Sequence, residues 1–160
     1  MAWIHSTAAT LTPAHSRGES RRPRCYRQAV PRPQRRAVRT ARAPVPTFSY
    51  SQGVVFRDLL FISGQVPRDP ETGEVPVALE DQVRLTLDNL AAVAEAAGTS
   101  LAHALRVNVY LDDLSRIREF DEIYRTYFTE PYPVRTTVRA GLRGYLVEID
   151  AIVALEDERS

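Results

Sequence analysis

The stretch LVEIDAIVAL, residues 146–155, decides the fold because its side chains alternate between two very different faces. One face is purely apolar and consists of Val147, Ile149, Ala151 and Val153. The opposite face mixes apolar residues with two carboxylates, Glu148 and Asp150. The pattern predicts a strand whose first face packs on a core. Its second face fits neither a closed core nor open solvent, and it favours a subunit interface that contains polar sites.

Two segments with helical period can cover the apolar face of this strand. The segment ALEDQVRLTLDNLAAVAEAAG, residues 78–98, predicts a helix that ends at Gly98. Its predicted core positions are Val83, Leu87, Leu90 and Ala94. The segment DDLSRIREFDEIYRTYF, residues 112–128, predicts a second helix with Asp or Ser as its N-cap. Two helices can cover only one face of a sheet.

The remaining periodic segments are rich in β-branched and aromatic residues and predict six strands. In chain order they are TFSYS (47–51), GVVF (53–56), RDLLFISGQV (57–66), ALRVNVYL (104–111), VRTTVRA (134–140) and GYLVEIDAIVAL (144–155). The last two are predicted to be antiparallel neighbours, because only the short segment GLRG separates them. The order ββ β α β α β β predicts an α+β domain with one uncovered sheet face, and hence an oligomer.

The first 44 residues differ in composition from the rest of the 160-residue chain. Residues 1–44 hold ten Arg and one acidic residue, whereas residues 45–160 hold eleven Arg and nineteen acidic residues. The first part combines Arg and Pro without periodic apolar residues, which predicts a disordered tail. A targeting peptide, a basic arm for nucleic acid and a segment without a role are alternative interpretations of it. Residues 45–160 are predicted to form one domain.

The residue types of the predicted domain exclude several classes of chemistry. The chain has no Lys, which removes Schiff-base and P-loop lysines. Its one cysteine, Cys25, lies in the tail, and only His103 of three histidines lies in the domain, so neither a zinc cluster nor a Ser-His-Asp triad is available. The excess of acids in residues 45–160 disfavours nucleic acid as a partner. No apolar run is long enough to span a membrane, which favours a cytoplasmic protein.

An arginine and a carboxylate are the strongest candidates for site residues. Arg135 stands at the start of a predicted strand, after two prolines that stiffen the approach. Its planar guanidinium is suited to the carboxylate of a small ligand. A salt bridge to Glu148 on the neighbouring strand is the alternative, purely structural interpretation. Glu148 then either neutralises Arg135 or holds a water molecule beside the ligand.

Four segments together resemble the RidA family, also called the YjgF or reactive-intermediate deaminase family. They are YSQGVVFRDLLFISGQVPRDPETGEV (50–75), NVYLDDL (108–114), PVRTTV (133–138) and LVEIDAIVAL (146–155), within a resemblance that covers about residues 48–155. The resemblance implies a chorismate-mutase-like fold, in which two helices pack on one face of a mixed sheet. It also implies a homotrimer with clefts between its subunits.

The activity that the resemblance implies is the hydrolysis of 2-imino acids, or of enamine tautomers such as 2-aminoacrylate, to 2-keto acids and ammonia without metal or cofactor. The implied site residues are Tyr50, Ser63, Gly64, Asp121, Arg135, Thr137 and Glu148. Arg135 is expected to bind the substrate carboxylate, and Glu148 to orient the attacking water. The backbone at Gly64 and Thr137 is expected to fix the ligand. Tyr50 is expected to close the pocket from a neighbouring subunit.

Two positions depart from the family pattern and keep alternative functions open. Thr137 stands where Cys is common, which preserves a backbone amide contact, whereas Asp121 stands where Asn is common. A carboxylate at Asp121 would repel an anionic imino acid if it points inward. A non-catalytic sensor of small carboxylic acids with the same fold is therefore one alternative. A ribonuclease or translation inhibitor is another, and only the basic tail supports it.

Overall fold

The computed structural model describes residues 34–155, which build one six-stranded mixed sheet and two α-helices. The strands are β1 (Arg36–Val38), β2 (Gly53–Phe56), β3 (Leu59–Gln65), β4 (Ala104–Leu111), β5 (Val134–Arg139) and β6 (Val147–Ala154). The helices are α1 (Leu79–Ala96) and α2 (Ile117–Tyr124), with short 3₁₀ turns at Leu101–His103 and Leu114–Arg116. The strand order is β1-β2-β3-β6-β4-β5.

Strand β6 lies in the middle of the sheet, and its two predicted faces are confirmed. It pairs antiparallel with β3 on one side and with β4 on the other. Its apolar residues Val147, Ile149, Ala151 and Val153 are all buried, while the residues between them are half-buried. Helix α1 packs on β3 and β6, and α2 packs beside α1, so both helices lie on the apolar side of the sheet.

The two predicted helices form, although the second is shorter than its apolar period. The predicted core positions of α1 are fully buried, and Gly98 follows the helix with a φ of +87°, which favours glycine. The Asp113 side chain accepts a hydrogen bond from the backbone N–H of Ser115 and caps the 3₁₀ turn before α2. After Tyr124 the chain tightens, because the Thr126 hydroxyl donates to the Ile123 carbonyl.

The predicted pairing of the last two strands is wrong. β5 pairs in parallel with β4, and β4 separates it from β6. The chain leaves β4, passes through α2 and returns as β5, and such a crossover through a helix places two parallel strands side by side. The two-faced strand β6 instead takes the central position, where its apolar face receives α1.

The beginning of the sheet also differs from the prediction. Residues 47–51, TFSYS, form no strand, and β2 pairs instead with β1 at residues 36–38. Val38 is buried, and so is Ala43. Residues 36–44, which fall within the predicted tail, thus contribute a strand and two buried side chains. Residues 1–33 of that tail, including Cys25, lie outside the described residues.

The Gln52 side chain fixes this early segment to the sheet. The side chain is buried; its amide nitrogen donates to the carbonyls of Thr40, Ala43 and Pro44 at 3.0–3.1 Å, and its amide oxygen accepts from the Thr40 N–H at 2.8 Å. Its backbone carbonyl accepts from the N–H and the hydroxyl of Ser63. One glutamine thus links residues 40–44 to β3 next to Gly64.

We expect Gln52→Glu to lower the free energy of unfolding by about 2–4 kcal/mol, because a carboxylate oxygen would then face backbone carbonyls that lose their shared donor. Urea denaturation checks this value. Ser51→Ala is the matched control and should stay within about 0.5 kcal/mol of the wild type. An unchanged Gln52→Glu protein would contradict the anchoring role.

Candidate active site

The predicted site residues fall into two groups on opposite faces of the sheet. Arg135 pairs in register with buried Val107 and therefore lies on the face that carries the helices. Glu148 pairs with Tyr110 and lies on the open face. The two side chains are also separated laterally by β4. The predicted alternative of a salt bridge between Arg135 and Glu148 on neighbouring strands is therefore wrong for a single chain.

The first group surrounds Glu148 at a cavity of about 430 Å³. The cavity is lined by Tyr50, Ser63, Gly64 and Glu148, together with residues of the loop that precedes β6. Tyr50 is half-exposed and lies beside Glu148 of its own chain. The structure thus brings four predicted site residues together and assigns Tyr50 to the Glu148 group.

Gly64 is needed because the Glu148 carboxyl lies directly over its backbone. A Cβ at Gly64 would stand 2.9 Å from Cδ of Glu148 and would overlap Oε1. The sheet register shifts between Ile62 and Gln65, so Ser63 and Gly64 form an irregularity opposite β6. This irregularity leaves room for the carboxyl on the open face.

The Glu148 carboxyl has a raised pKa, and its neighbour Asp150 on β6 is paired inside the chain. Burial is the first cause that raises the pKa of Glu148, and the negative charge of Asp150 is the second. Asp150 itself accepts hydrogen bonds from Asn108 Nδ2 at 2.8 Å and from the Tyr110 hydroxyl at 3.0 Å. The bond to Asp150 raises the pKa of Tyr110, so this phenol stays a donor. The second carboxylate of β6 therefore has a role inside the chain.

The second group surrounds Arg135 at the edge of the sheet. Its Nη1 donates to Asp121 Oδ1 at 2.7 Å, and its guanidinium carbon lies 4.6 Å from the ring centroid of Tyr124. The second carboxylate oxygen of Asp121 lies 3.8 Å from Nη2 of Arg125. Thr137 follows two residues after Arg135 on β5 and so shares its face. A cavity of about 260 Å³ opens beside Arg135.

Sequence reasoning missed two residues that belong to these groups. Tyr124 is almost fully buried below Arg135, burial raises the pKa of its phenol to about 12, and its hydroxyl has no partner within residues 34–155. Its position three residues after Asp121 on one helix was the available signal. Arg143 lines the Glu148 cavity from a turn in which it adopts a φ of +53°. No sequence signal distinguished that arginine from a turn residue.

No group of three or more His, Cys, Asp or Glu side chains within residues 34–155 is arranged to hold a metal ion. No helix there is long and apolar enough to cross a membrane.

The fold and the two groups define an α+β protein with a six-stranded mixed sheet, two helices on one face and polar clusters on both. Residues 40–155 match the family model described as Endoribonuclease L-PSP. The chain therefore belongs to this family, which includes RidA, YjgF, TdcF and RutC proteins. The predicted family and α+β fold are confirmed.

The alignments with relatives and solved structures extend over most of this chain and most of each matched protein. A RutC family protein of Pyrococcus horikoshii is 41% identical over 120 residues, which are 73% of this chain and 95% of that protein. TdcF of Escherichia coli K12, named provisionally as a reactive intermediate deaminase, is 36% identical over 123 residues, or 74% of this chain and 95% of that protein. The crystal structure of E. coli TdcF with bound serine has a TM-score of 0.72 at 34% identity and covers 76% of this chain and 99% of that chain.

We expect Gly64→Ala to displace the Glu148 carboxyl while the fold persists, because the new methyl group meets the flexible end of a side chain. The free energy of unfolding should change by less than about 1 kcal/mol. A double-mutant cycle with Glu148→Ala checks the cause, since the effect of Gly64→Ala on ligand binding should vanish once the carboxyl is gone.

Gly141→Ala is the matched control for this experiment, because a Cβ there meets nothing within 4 Å. It should bind ligand like the wild type. Equal effects of Gly64→Ala with and without Glu148 would show that the glycine serves another purpose.

Proposed function

We propose that this protein is a homotrimeric, cofactor-free deaminase that hydrolyses 2-imino acids and their enamine tautomers, such as 2-iminopropanoate and 2-aminoacrylate, to 2-keto acids and ammonia. The observation that carries the proposal is that Arg135 and Glu148 lie on opposite faces of the sheet. Arg135 of one subunit and Glu148 of a neighbouring subunit can then form one shared site. Family membership and the provisional name of TdcF support the reaction. The TdcF structure with bound serine supports a small amino-acid-like ligand.

The open face of the sheet supports an oligomer. Phe61 and Val138 point to this face and are each about two-fifths exposed, although large apolar side chains are usually buried. Ile152 and the half-buried Glu148 lie between them. A second chain placed on this face would bury the apolar residues and would bring its own Arg135 edge towards Glu148.

The proposed chemistry needs only three elements: a carboxylate that acts as base, a positioned water molecule, and an arginine that binds the substrate carboxylate. The planar donors of Arg135 bind the carboxylate of the imino acid. Glu148 of the adjacent subunit accepts a proton from water, which attacks C2 of the imine. The imine nitrogen takes up a proton from solvent during this attack, which gives an amino alcohol. Glu148 then returns its proton to the amino group, the hydroxyl releases its proton to solvent, and ammonia leaves as the keto acid forms. Because the imine carbon is already electrophilic, positioning supplies most of the rate.

The charge of residues 34–155 favours this proposal over RNA cleavage. This part of the chain holds fourteen Arg and sixteen acidic residues, so it is slightly negative. Affinity for a phosphate backbone depends on neutralising cations. Arg135, the cation of the candidate site, is already paired with the carboxylate of Asp121.

Arg135→Ala and Glu148→Ala should each lower keto-acid release from imine generated in situ by at least about 100-fold, because each removes a group that contacts substrate or water. Arg118→Ala, which removes an exposed guanidinium on α2, is the matched control and should retain the activity. If Arg143→Ala abolishes activity and Arg135→Ala does not, the clamp lies within one chain and the proposal fails.

Mixed oligomers test the shared site directly. When Arg135→Ala and Glu148→Ala chains are refolded together in equal amounts, about a quarter of the subunit pairings should join an intact Arg135 to an intact Glu148. Activity should therefore recover to about a quarter of the wild-type rate. Each variant refolded alone should stay inactive. Absence of recovery in mixtures shown to be hetero-oligomeric would contradict a site shared between chains.

The pH profile should reflect the raised pKa of Glu148. Glu148 accepts a proton only when ionised, so activity should fall as the pH decreases through a pKa that lies above the usual 4.5. Asp150→Asn removes the like charge and should shift this acid limb to lower pH. The measurement is keto-acid release as a function of pH, corrected for uncatalysed hydrolysis. Glu122→Gln removes an exposed carboxylate on α2 and should leave the limb in place; a limb unmoved by Asp150→Asn would contradict the assignment.

A further inference from the structure

Arg135 already holds a carboxylate before any ligand binds. Nη1 of Arg135 and Oδ1 of Asp121 lie 2.7 Å apart, and about a third of each side chain is exposed. Within residues 34–155, Asp121 accepts the side-chain hydrogen bond that Arg135 makes, so Nε and Nη2 keep their donors for a ligand. Any ligand carboxylate that binds these donors comes close to the negative charge of Asp121.

A second observation marks this place as a ligand site. The cavity of about 260 Å³ is lined by Asp121, Tyr124, Arg125, Tyr132, Pro133 and Arg135. The Tyr124 side chain that lines it is more than nine-tenths buried, and its hydroxyl has no partner within the described part of the chain. The Tyr124 ring supports the guanidinium of Arg135 from below, and the donors that Arg135 keeps are available to a carboxylate in this cavity.

The charges around this cavity distinguish between kinds of carboxylate. A simple anion gains Arg135 but is repelled by Asp121, which lies one hydrogen bond away on the same guanidinium. A ligand that carries a positive nitrogen next to its carboxylate gains Arg135 and Asp121 together. The packing of the guanidinium over Tyr124 fixes its plane, so the two charges of the ligand have a defined orientation.

We propose that Asp121 makes the Arg135 cavity selective for zwitterions, which place a carboxylate on Arg135 and a cationic nitrogen beside Asp121. The inference rests on the proposed function and names its substrate form: the protonated imine, R–C(=NH₂⁺)–COO⁻, has this charge pattern. Water converts it to R–CO–COO⁻ and NH₄⁺, so the keto acid keeps the negative charge and loses the positive one. Asp121 is thus a specificity residue that favours substrate over product.

The test compares two probes with one skeleton, L-serine and L-glycerate, in which a hydroxyl replaces the ammonium group. NMR titration of the full chain should show that the wild type binds serine about tenfold tighter than glycerate, which corresponds to about 1.4 kcal/mol. In Asp121→Asn this preference should disappear or reverse. Glu122→Gln is the matched control, because it removes the same charge from the neighbouring exposed residue and should keep the preference.

Product inhibition provides a second measurement that does not depend on the binding of serine or glycerate. Asp121→Asn should be inhibited by pyruvate at about tenfold lower concentration than the wild type, because the repulsion is gone. A preference and an inhibition constant that both stay at the wild-type values would overturn the role of Asp121. The Arg135→Ala variant separates the two proposals. If it still binds both probes and still deaminates, the proposed function fails as well. If it loses both binding and deamination while Asp121→Asn behaves like the wild type, only the role of Asp121 is contradicted.

Discussion

The rest of the structure depends on the register of β6, the central strand with two different faces. β6 is hydrogen-bonded to β3 on one side and to β4 on the other, so it cannot slip past either neighbour alone. A slip by one residue would turn Glu148 into the core and Ile149 out of it. Burying an unpaired carboxylate costs several kcal/mol, so the core fixes where Glu148 stands. Because the Glu148 carboxyl is fixed there, the residue beneath it must lack a side chain, and that residue is Gly64.

The fold keeps Arg135, the proposed carboxylate clamp, apart from Glu148, the proposed base. Side by side they would neutralise each other, and neither would be available to a ligand. Arg135 instead pairs with Asp121 in a partly exposed bond that contributes about 1 kcal/mol at most, which a ligand can rearrange. Glu148 faces the open side of the sheet, where burial and Asp150 keep its pKa raised.

Hydrophobic periodicity in the sequence predicted the structural features that depend on a single segment of the chain. The buried positions of α1, the bounds of β4 and the two faces of β6 follow from hydrophobic spacing. Pairings between distant segments do not follow from it. β1 is only three residues long; it pairs with β2, and the Gln52 side chain holds residues 40–44, which follow it. The partner of Arg135 depended on where α2 places Asp121, which spacing along β5 does not encode.

The one wrong strand pairing changes the meaning of the Arg135 and Glu148 pair. With β5 next to β6, a salt bridge inside one chain would have explained both residues structurally. With β4 between them, the two side chains face opposite sides of the sheet and have separate surroundings. A partly buried carboxyl with a raised pKa is a costly feature for a chain acting alone. Arg135, stacked on Tyr124, keeps Nε and Nη2 as donors without a partner within residues 34–155. The proposed oligomer would give both features a use, because the edge of one subunit would meet the open face of the next.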